Sequence, residues 1–244
     1  MPIPERLPEV TDSLRALRAL GVPVECVLDV GILHGTAGLM QVFPDVKHHL
    51  FEPVDNYFDI IHKAYSKLDY ELHQVALSDS DGSAWQIGIC RDGTGQVTHS
   101  QLRDEPQSAD DDPAIVSCTQ VKKARLDSLL DDLDAATPYL LKLDVDGIEL
   151  QIIEGAARTL RDASVVVIEV TNQTFLPRAN AVAQHGFSFF DLVDLTYYCG
   201  TFYQGDAIFI RDDIVASLDA LRPMQVKPFD QSQWFPVSYK VLGV

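Results

Sequence analysis

The chain has 244 residues, 46% hydrophobic and 23% charged, which suits an α/β domain with additions at its edges and argues against disorder. Its net charge of −17, from 19 basic and 36 acidic side chains, repels phosphate backbones and anionic bilayers, so nucleic acid and membranes are not expected partners. No apolar run is long enough to span a bilayer, and the start, MPIPERLPEV, lacks the basic-then-apolar order of a signal peptide.

The four cysteines, Cys26, Cys90, Cys118 and Cys199, show no CxxC spacing and fall mostly in apolar runs. They read as buried free thiols in a reducing cytoplasm. With no close cysteine or histidine pairs, a zinc site is not expected.

Val10 to Leu20 carries apolar residues at helical spacing and stops at Gly21. Glu25 to Val30 is a short apolar strand, and Gly31 to Gly38 is a loop entering a helix near Leu39 to Phe43. Lys47 to Phe51 reads as a second strand, Asn56 to Lys67 as a helix, and Glu71 to Leu77 as a third strand. Ser83 to Cys90 and Ile115 to Val121 read as an antiparallel pair. Between them lies a Gly-, Asp- and Ser-rich stretch without periodicity, the signature of a lid or a disordered segment. Leu126 to Leu133 is a short helix, Tyr139 to Leu143 a strand buried on both faces, and Gly147 to Leu160 a helix. Ser164 to Val170, Phe187 to Leu195 and Asp206 to Ile210 complete the strands. Three regions follow: 1–24, an N-terminal helical extension; 25–212, the α/β domain; and 213–244, a C-terminal extension. Strands alternating with helices imply a doubly wound, mostly parallel sheet, whose ligands bind outside the carboxyl ends of the strands.

Two features mark that crevice. In "VLDVGILHGTAG", Asp29 precedes Gly31, Gly35 and Gly38 at a strand-to-helix turn, where glycines let the backbone approach a ligand. Glu52 ends the second strand 21 residues after Gly31, the offset at which an acid accepts hydrogen bonds from the ribose of an adenosine cofactor. Two such cofactors compete. NAD needs its pyrophosphate on a helix N-terminus behind a G-x-G-x-x-G turn. The spacing here is different, and a carboxylate at Asp29 repels a diphosphate. S-adenosylmethionine carries no phosphate and has a cationic sulfonium, which suits the strand-end acids Asp29, Glu52 and Asp144.

The succession "VLDVGILHG", "HLFEP", "VALSDSDG", "VKKARLDSLL", "LLKLDVDGIELQIIEGA" and "VVVIEV" resembles the FkbM family of S-adenosylmethionine-dependent methyltransferases. The resemblance covers about Cys26 to Val170. It implies a class I methyltransferase (Rossmann-like) sheet with an antiparallel edge strand, and O-methylation of a hydroxyl on a sugar, glycan or secondary metabolite. It also implies that Asp29, Gly31 and Gly35 line the methionine end of the cofactor, that Glu52 holds the ribose, and that Ala76, Leu77 and Asp79 lie near the adenine. The family usually has Asn two residues after the motif glycine. Leu33 stands there in this chain, so a polar cofactor contact is either lost or replaced by the following His34.

Chemistry is expected at Asp144 and Glu169, which end neighbouring strands and orient or deprotonate the acceptor hydroxyl, directly or through a divalent metal that the two would hold. His99, in the long middle stretch, is a further candidate base. Asp146 and Glu149 read as acids capping the following helix. The alternatives are an NAD-dependent oxidoreductase and a non-catalytic S-adenosylmethionine-binding domain.

Overall fold

The computed structural model describes residues 7–218 and Leu221. Most of the expected C-terminal extension, with Trp234 and Phe235, lies outside the described residues. The strands, in chain order, are β1 (Cys26–Val30), β2 (Lys47–Phe51), β3 (Tyr70–His73), β4 (Ala76–Leu77), β5 (Gly82–Ile89), β6 (His99–Arg103), β7 (Ile115–Ala124), β8 (Tyr139–Leu143), β9 (Ala163–Thr171), β10 (Phe187–Tyr198) and β11 (Thr201–Arg211). Seven of them form the main sheet, in the order β3-β2-β1-β8-β9-β11-β10. From β3 to β9 the strands are parallel, whereas β11 runs antiparallel to both of its neighbours. The chain winds outward from β1 in one direction and from β8 in the other, so the switch point lies between these two central strands.

Alternate residues of the central strands feed two different layers. Cys26, Leu28, Leu141, Leu143, Val166 and Ile168 pack with Ile152 and Leu160 from the helices Glu149–Glu154 and Ala157–Asp162. Val27, Leu140, Val165 and Val167 pack on the opposite face, with Leu14 and Leu17 from the helix Val10–Ala19 and Leu39 from the helix Ala37–Val42. Cover on both faces is why these strands read as unbroken apolar runs. Leu14 and Leu17 are fully buried, so truncating either to Ala would cost about 2–5 kcal/mol. The N-terminal helix is therefore part of the packed core.

Several elements differ from the sequence expectation. The third strand splits. β3 ends at His73, and Ala76–Leu77 leaves to pair with β7 in a second sheet ordered β4-β7-β5-β6. The helix over 147–160 breaks at Gly155, where an added Cβ would lie 2.0 Å from the Ser78 carbonyl oxygen. The break lets the helix end press against the chain leaving β4. The long middle stretch contains β6, paired antiparallel with β5 as β5 is with β7. The helix Phe175–Ala183 was not foreseen because it holds Pro177, which its first turn tolerates where backbone N–H groups lack helical partners. "TYYCGTFY" forms a hairpin whose turn residues, Cys199 and Gly200, both have positive φ. All four thiols are free, but only Cys26 is buried, and Cys199 is exposed. Among the described residues no helix is long and apolar enough to cross a membrane.

Gly31 joins the two halves of the switch point. Its φ is +82°, and a Cβ built on it would lie 1.8 Å from the Asp144 carbonyl oxygen. Gly21 has the same conformation, φ +83°, with open space around it. Gly21→Ala should therefore cost only backbone strain, about 1 kcal/mol, and Gly31→Ala about 3 kcal/mol or more because overlap adds to strain. Urea denaturation of the two variants checks this. Equal losses would remove the close approach from the account.

Candidate active site

A cleft of about 950 Å³ opens at the carboxyl ends of β1, β2, β8 and β9. One wall is the turn after β1. The Gly31 N–H donates to the Phe51 carbonyl at 3.3 Å, and the Gly35 N–H to the Ile32 carbonyl at 2.8 Å. Leu33 is held at φ +48° within this turn and is half exposed. That region suits Asn and Gly and strains Leu. His34 stands beside it, its ring edge-on to Tyr57 at 6.2 Å. Glu52 ends β2 with its side chain buried and accepts the Val54 N–H at 3.0 Å. Burial pushes its carboxyl up to about 7. Val75, Ala76 and Leu77 supply an apolar face on the same wall.

The floor is acidic. In register, Leu143 sits beside Ile168 and Glu169 beside Asp206, so Asp144, Glu169 and Asp206 form a row across β8, β9 and β11. Two cations hold this row. Lys142, buried in the middle of β8, donates to Asp144 Oδ2 at 2.8 Å. Burial alone would lower its pKa. The charges of Asp144, Asp29 and Asp206 outweigh that, and the ammonium stays protonated. Arg178, from the helix Phe175–Ala183, pairs with the buried Glu149, donates to the Glu169 carbonyl at 2.6 Å and lies 3.9 Å from the Glu169 carboxyl. Burial, reinforced by Asp144, Asp146 and Glu149, pushes Glu169 up to about 8. Burial likewise lifts Asp206 to about 6, against the pull of Lys142.

The second sheet roofs the cleft. Asp146, at φ +52°, accepts the Ser100 N–H at 2.8 Å and so ties β6 to the loop after β8. Glu149 stands as the expected acid in the first turn of the following helix and accepts the Gly147 N–H at 3.4 Å, whereas Asp146 is turned to Ser100. His99 lies on this roof, its Nδ1 3.0 Å from the Thr98 hydroxyl, and its charge opposes the rise in the Asp146 pKa that burial causes.

Of the residues expected at the site, Gly31, His34, Gly35, Glu52, Ala76, Leu77, His99, Asp144 and Glu169 line the cleft. Two are corrected. Asp29 is fully buried beneath the glycine turn and does not line the cleft, because its carboxylate accepts the Tyr65 hydroxyl at 3.0 Å. Tyr65 in turn accepts the Thr36 N–H at 3.2 Å, so Asp29 props the turn from below. Asp79 is exposed and bonded to the Ser80 hydroxyl at 2.8 Å, since the chain turns outward there towards β5. The metal reading of Asp144 and Glu169 finds no support in the geometry, since Asp144 is paired with the Lys142 ammonium at 2.8 Å. Among the described residues the one group of three side chains positioned to share an ion is elsewhere, at His49, Glu71 and His73. Lys142, Arg178, Asp206 and Tyr57 were missed. Lys142 and Asp206 are charges inside apolar strands, a signal open to a reader. Arg178 had none, because its helix went unread.

The family model of the FkbM methyltransferase domain matches residues 29–197. The chain belongs to the FkbM methyltransferase family. Its sheet is the class I methyltransferase sheet, with one strand inserted antiparallel. A comparison with curated proteins gave no significant match. Among solved structures, it is similar to the FkbM methyltransferase of Methylobacillus flagellatus KT, at 15% identity and a TM-score of 0.47 over 76% of this chain. The present chain spans 43% of that protein's length. It is also similar to the precorrin-6y C5,15-methyltransferase of Geobacter metallireducens GS-15, at 13% identity and TM-score 0.41, covering 82% of this chain and 88% of that one. The magnesium protoporphyrin IX methyltransferase of Synechocystis PCC 6803, solved with bound SAM, matches at 9% identity and TM-score 0.42, covering 83% of this chain and 77% of that one.

A raised carboxyl pKa gives this FkbM domain a pH signature. Glu169 binds its proton more tightly folded than unfolded, so its contribution to stability is whole below its ordinary value of 4.5 and is lost as pH rises to about 8. Glu169→Gln keeps the neutral form at every pH. The difference in urea midpoint between variant and wild type should therefore swing in favour of the variant from pH 5 to 8.5. A pH-independent difference would show that Glu169 titrates normally.

Proposed function

We propose that this chain transfers the methyl group of S-adenosylmethionine to a hydroxyl of a small-molecule or glycan acceptor, a sugar or secondary metabolite. The observation that carries the reading is Glu169, a cleft carboxyl with a pKa of about 8, set beside an Asp144 that a buried lysine holds in place. S-adenosylmethionine, when bound, supplies an electrophilic methyl group on a cationic sulfur. The residues present fit such a cofactor. Glu52 offers a buried carboxyl where ribose hydroxyls would donate, Ala76 and Leu77 offer an apolar face for adenine, and the turn from Gly31 to Gly35 exposes backbone and no phosphate-binding spacing.

The chain's own work is then positioning and proton removal. Asp144 accepts a hydrogen bond from the acceptor hydroxyl and orients it. Glu169, ionised at mildly alkaline pH, takes the hydroxyl proton, a transfer most efficient when the base titrates near working pH. The roof strand β6, with His99, covers the cleft and limits water. Lys142 and Arg178 offset part of the acidic charge of the floor, at Asp144 and Glu149. The free thiols support a reducing compartment such as the cytoplasm. One observation favours the second reading, a non-catalytic cofactor-binding domain. The strained Leu33 occupies the position where the family usually has Asn.

Turnover with labelled S-adenosylmethionine and a panel of hydroxylated acceptors separates the two. Glu169→Gln should leave S-adenosylhomocysteine binding intact and reduce turnover about 10²–10⁴-fold. Wild-type turnover should rise with pH through about 8, as Glu169 ionises. Glu52→Gln should instead weaken S-adenosylhomocysteine by roughly 1.5–3 kcal/mol. Undiminished turnover in Glu169→Gln would transfer the base role away from it, and failure of every acceptor with the cofactor bound would favour the non-catalytic reading.

A further inference from the structure

A second polar cluster lies on β2 and β3, apart from the acidic floor. The parallel register sets His49 beside Glu71 and Phe51 beside His73. His49 Nδ1 is 3.0 Å from His73 Nε2 and 3.8 Å from Glu71 Oε2. The ligand atoms of all three lie within 4.8 Å of one another. A tetrahedral ion with bonds of about 2.0–2.1 Å holds its ligand atoms about 3.3 Å apart, so small side-chain rotations close this set around one centre.

The backing of His49 matters more than the spacing. Its Nε2 lies 3.2 Å from the Asp134 carbonyl oxygen. A carbonyl only accepts, so Nε2 carries the hydrogen and Nδ1 presents a bare lone pair towards His73. A ring nitrogen donating to a backbone carbonyl while the other faces the ion is the arrangement that orients metal-ligating imidazoles. His49 is buried and stacks on the His73 ring at 5.3 Å, and the His73 ring stacks in turn on Phe51 at 5.0 Å.

We propose that His49, Glu71 and His73 form a binding site for a divalent ion of the zinc class, with water as the fourth ligand. Two imidazoles and one carboxylate suit Zn²⁺ over Mg²⁺ or Ca²⁺, which prefer all-oxygen sets. The ion clips β2 to β3 where the chain leaves the main sheet for the apolar wall at Val75–Leu77. Phe51, stacked on His73, lines that same cleft. One residue opposes it. Lys47 Nζ lies 3.1 Å from Glu71 Oε2 and 3.7 Å from the Asp134 carboxylate, and it must release Glu71 as the ion enters. The two histidines are 24 residues apart in the chain, so no close pair announced them, and the proposal departs from the expectation of no zinc site.

The test uses the full chain, free of any tag and stripped with a chelator, titrated with Zn²⁺ by calorimetry and with Co²⁺ by absorbance. The expected result is one ion per chain, a raised thermal midpoint, and the intense visible bands of tetrahedral Co²⁺. His73→Gln and Glu71→Gln should weaken binding at least about tenfold. Glu71 is half exposed, so its variant does not threaten folding. Lys47→Met should strengthen binding by removing the competing cation, a change that adventitious surface binding would not show. Absence of saturable binding overturns the proposal, as does an affinity unmoved by Glu71→Gln and Lys47→Met. Either result leaves His73 donating a plain hydrogen bond to His49.

Discussion

The ammonium of Lys142 is the interaction on which the rest of the site depends. It sits in the middle of a central strand, buried on both faces, among the charges of Asp144, Asp29 and Asp206. These three acids act in different places. Asp29 props the glycine turn through Tyr65, Asp144 faces the cleft, and Asp206 closes the row on β11. Without a cation between them, their mutual repulsion and burial would force them neutral or apart. Removing one member of such a buried set typically costs about 3–5 kcal/mol, because the others are left uncompensated. Arg178 does the same for Glu149 but only partly for Glu169, which lies 3.9 Å away. Burial and the neighbouring charges of Asp144, Asp146 and Glu149 therefore push Glu169 up to about 8, with only a partial offset from Arg178.

The central architecture was legible because it rests on periodicity and on glycine. The apolar runs at Cys26–Val30, Tyr139–Leu143 and Ala163–Thr171 can only be strands covered twice, and Gly31 and Glu52 end up where the strand-end argument places them. Residues whose placement depends on side-chain direction were less legible. Asp29 and Asp79 stand in motif positions, yet one turns under its loop and the other out to solvent. The strand β6, reading HSQLR, carries too little apolar alternation to be seen, since it is half exposed and lies at the edge of the small sheet. His49 and His73 are joined by strand register alone, which no local pattern encodes.

The roof and the floor differ in how firmly they are held. The floor belongs to strands with complete apolar cover. The roof hangs on an edge strand with no fully buried residue and on the hydrogen bond from Ser100 to Asp146. Opening that edge would expose little apolar surface, so it is among the least costly local openings the fold allows. The turn at Leu33 is the other weak point. A branched side chain held at φ +48° stores strain beside the cofactor wall, and a ligand that relaxed the turn would recover part of it.

The central claim is that the cleft receives S-adenosylmethionine and no dinucleotide. Calorimetric titration of the full chain with S-adenosylhomocysteine, repeated in the presence of NADH, tests it most directly. The account predicts saturable binding of one S-adenosylhomocysteine per chain, with no competition from NADH. Binding of NADH with no response to S-adenosylhomocysteine would contradict it.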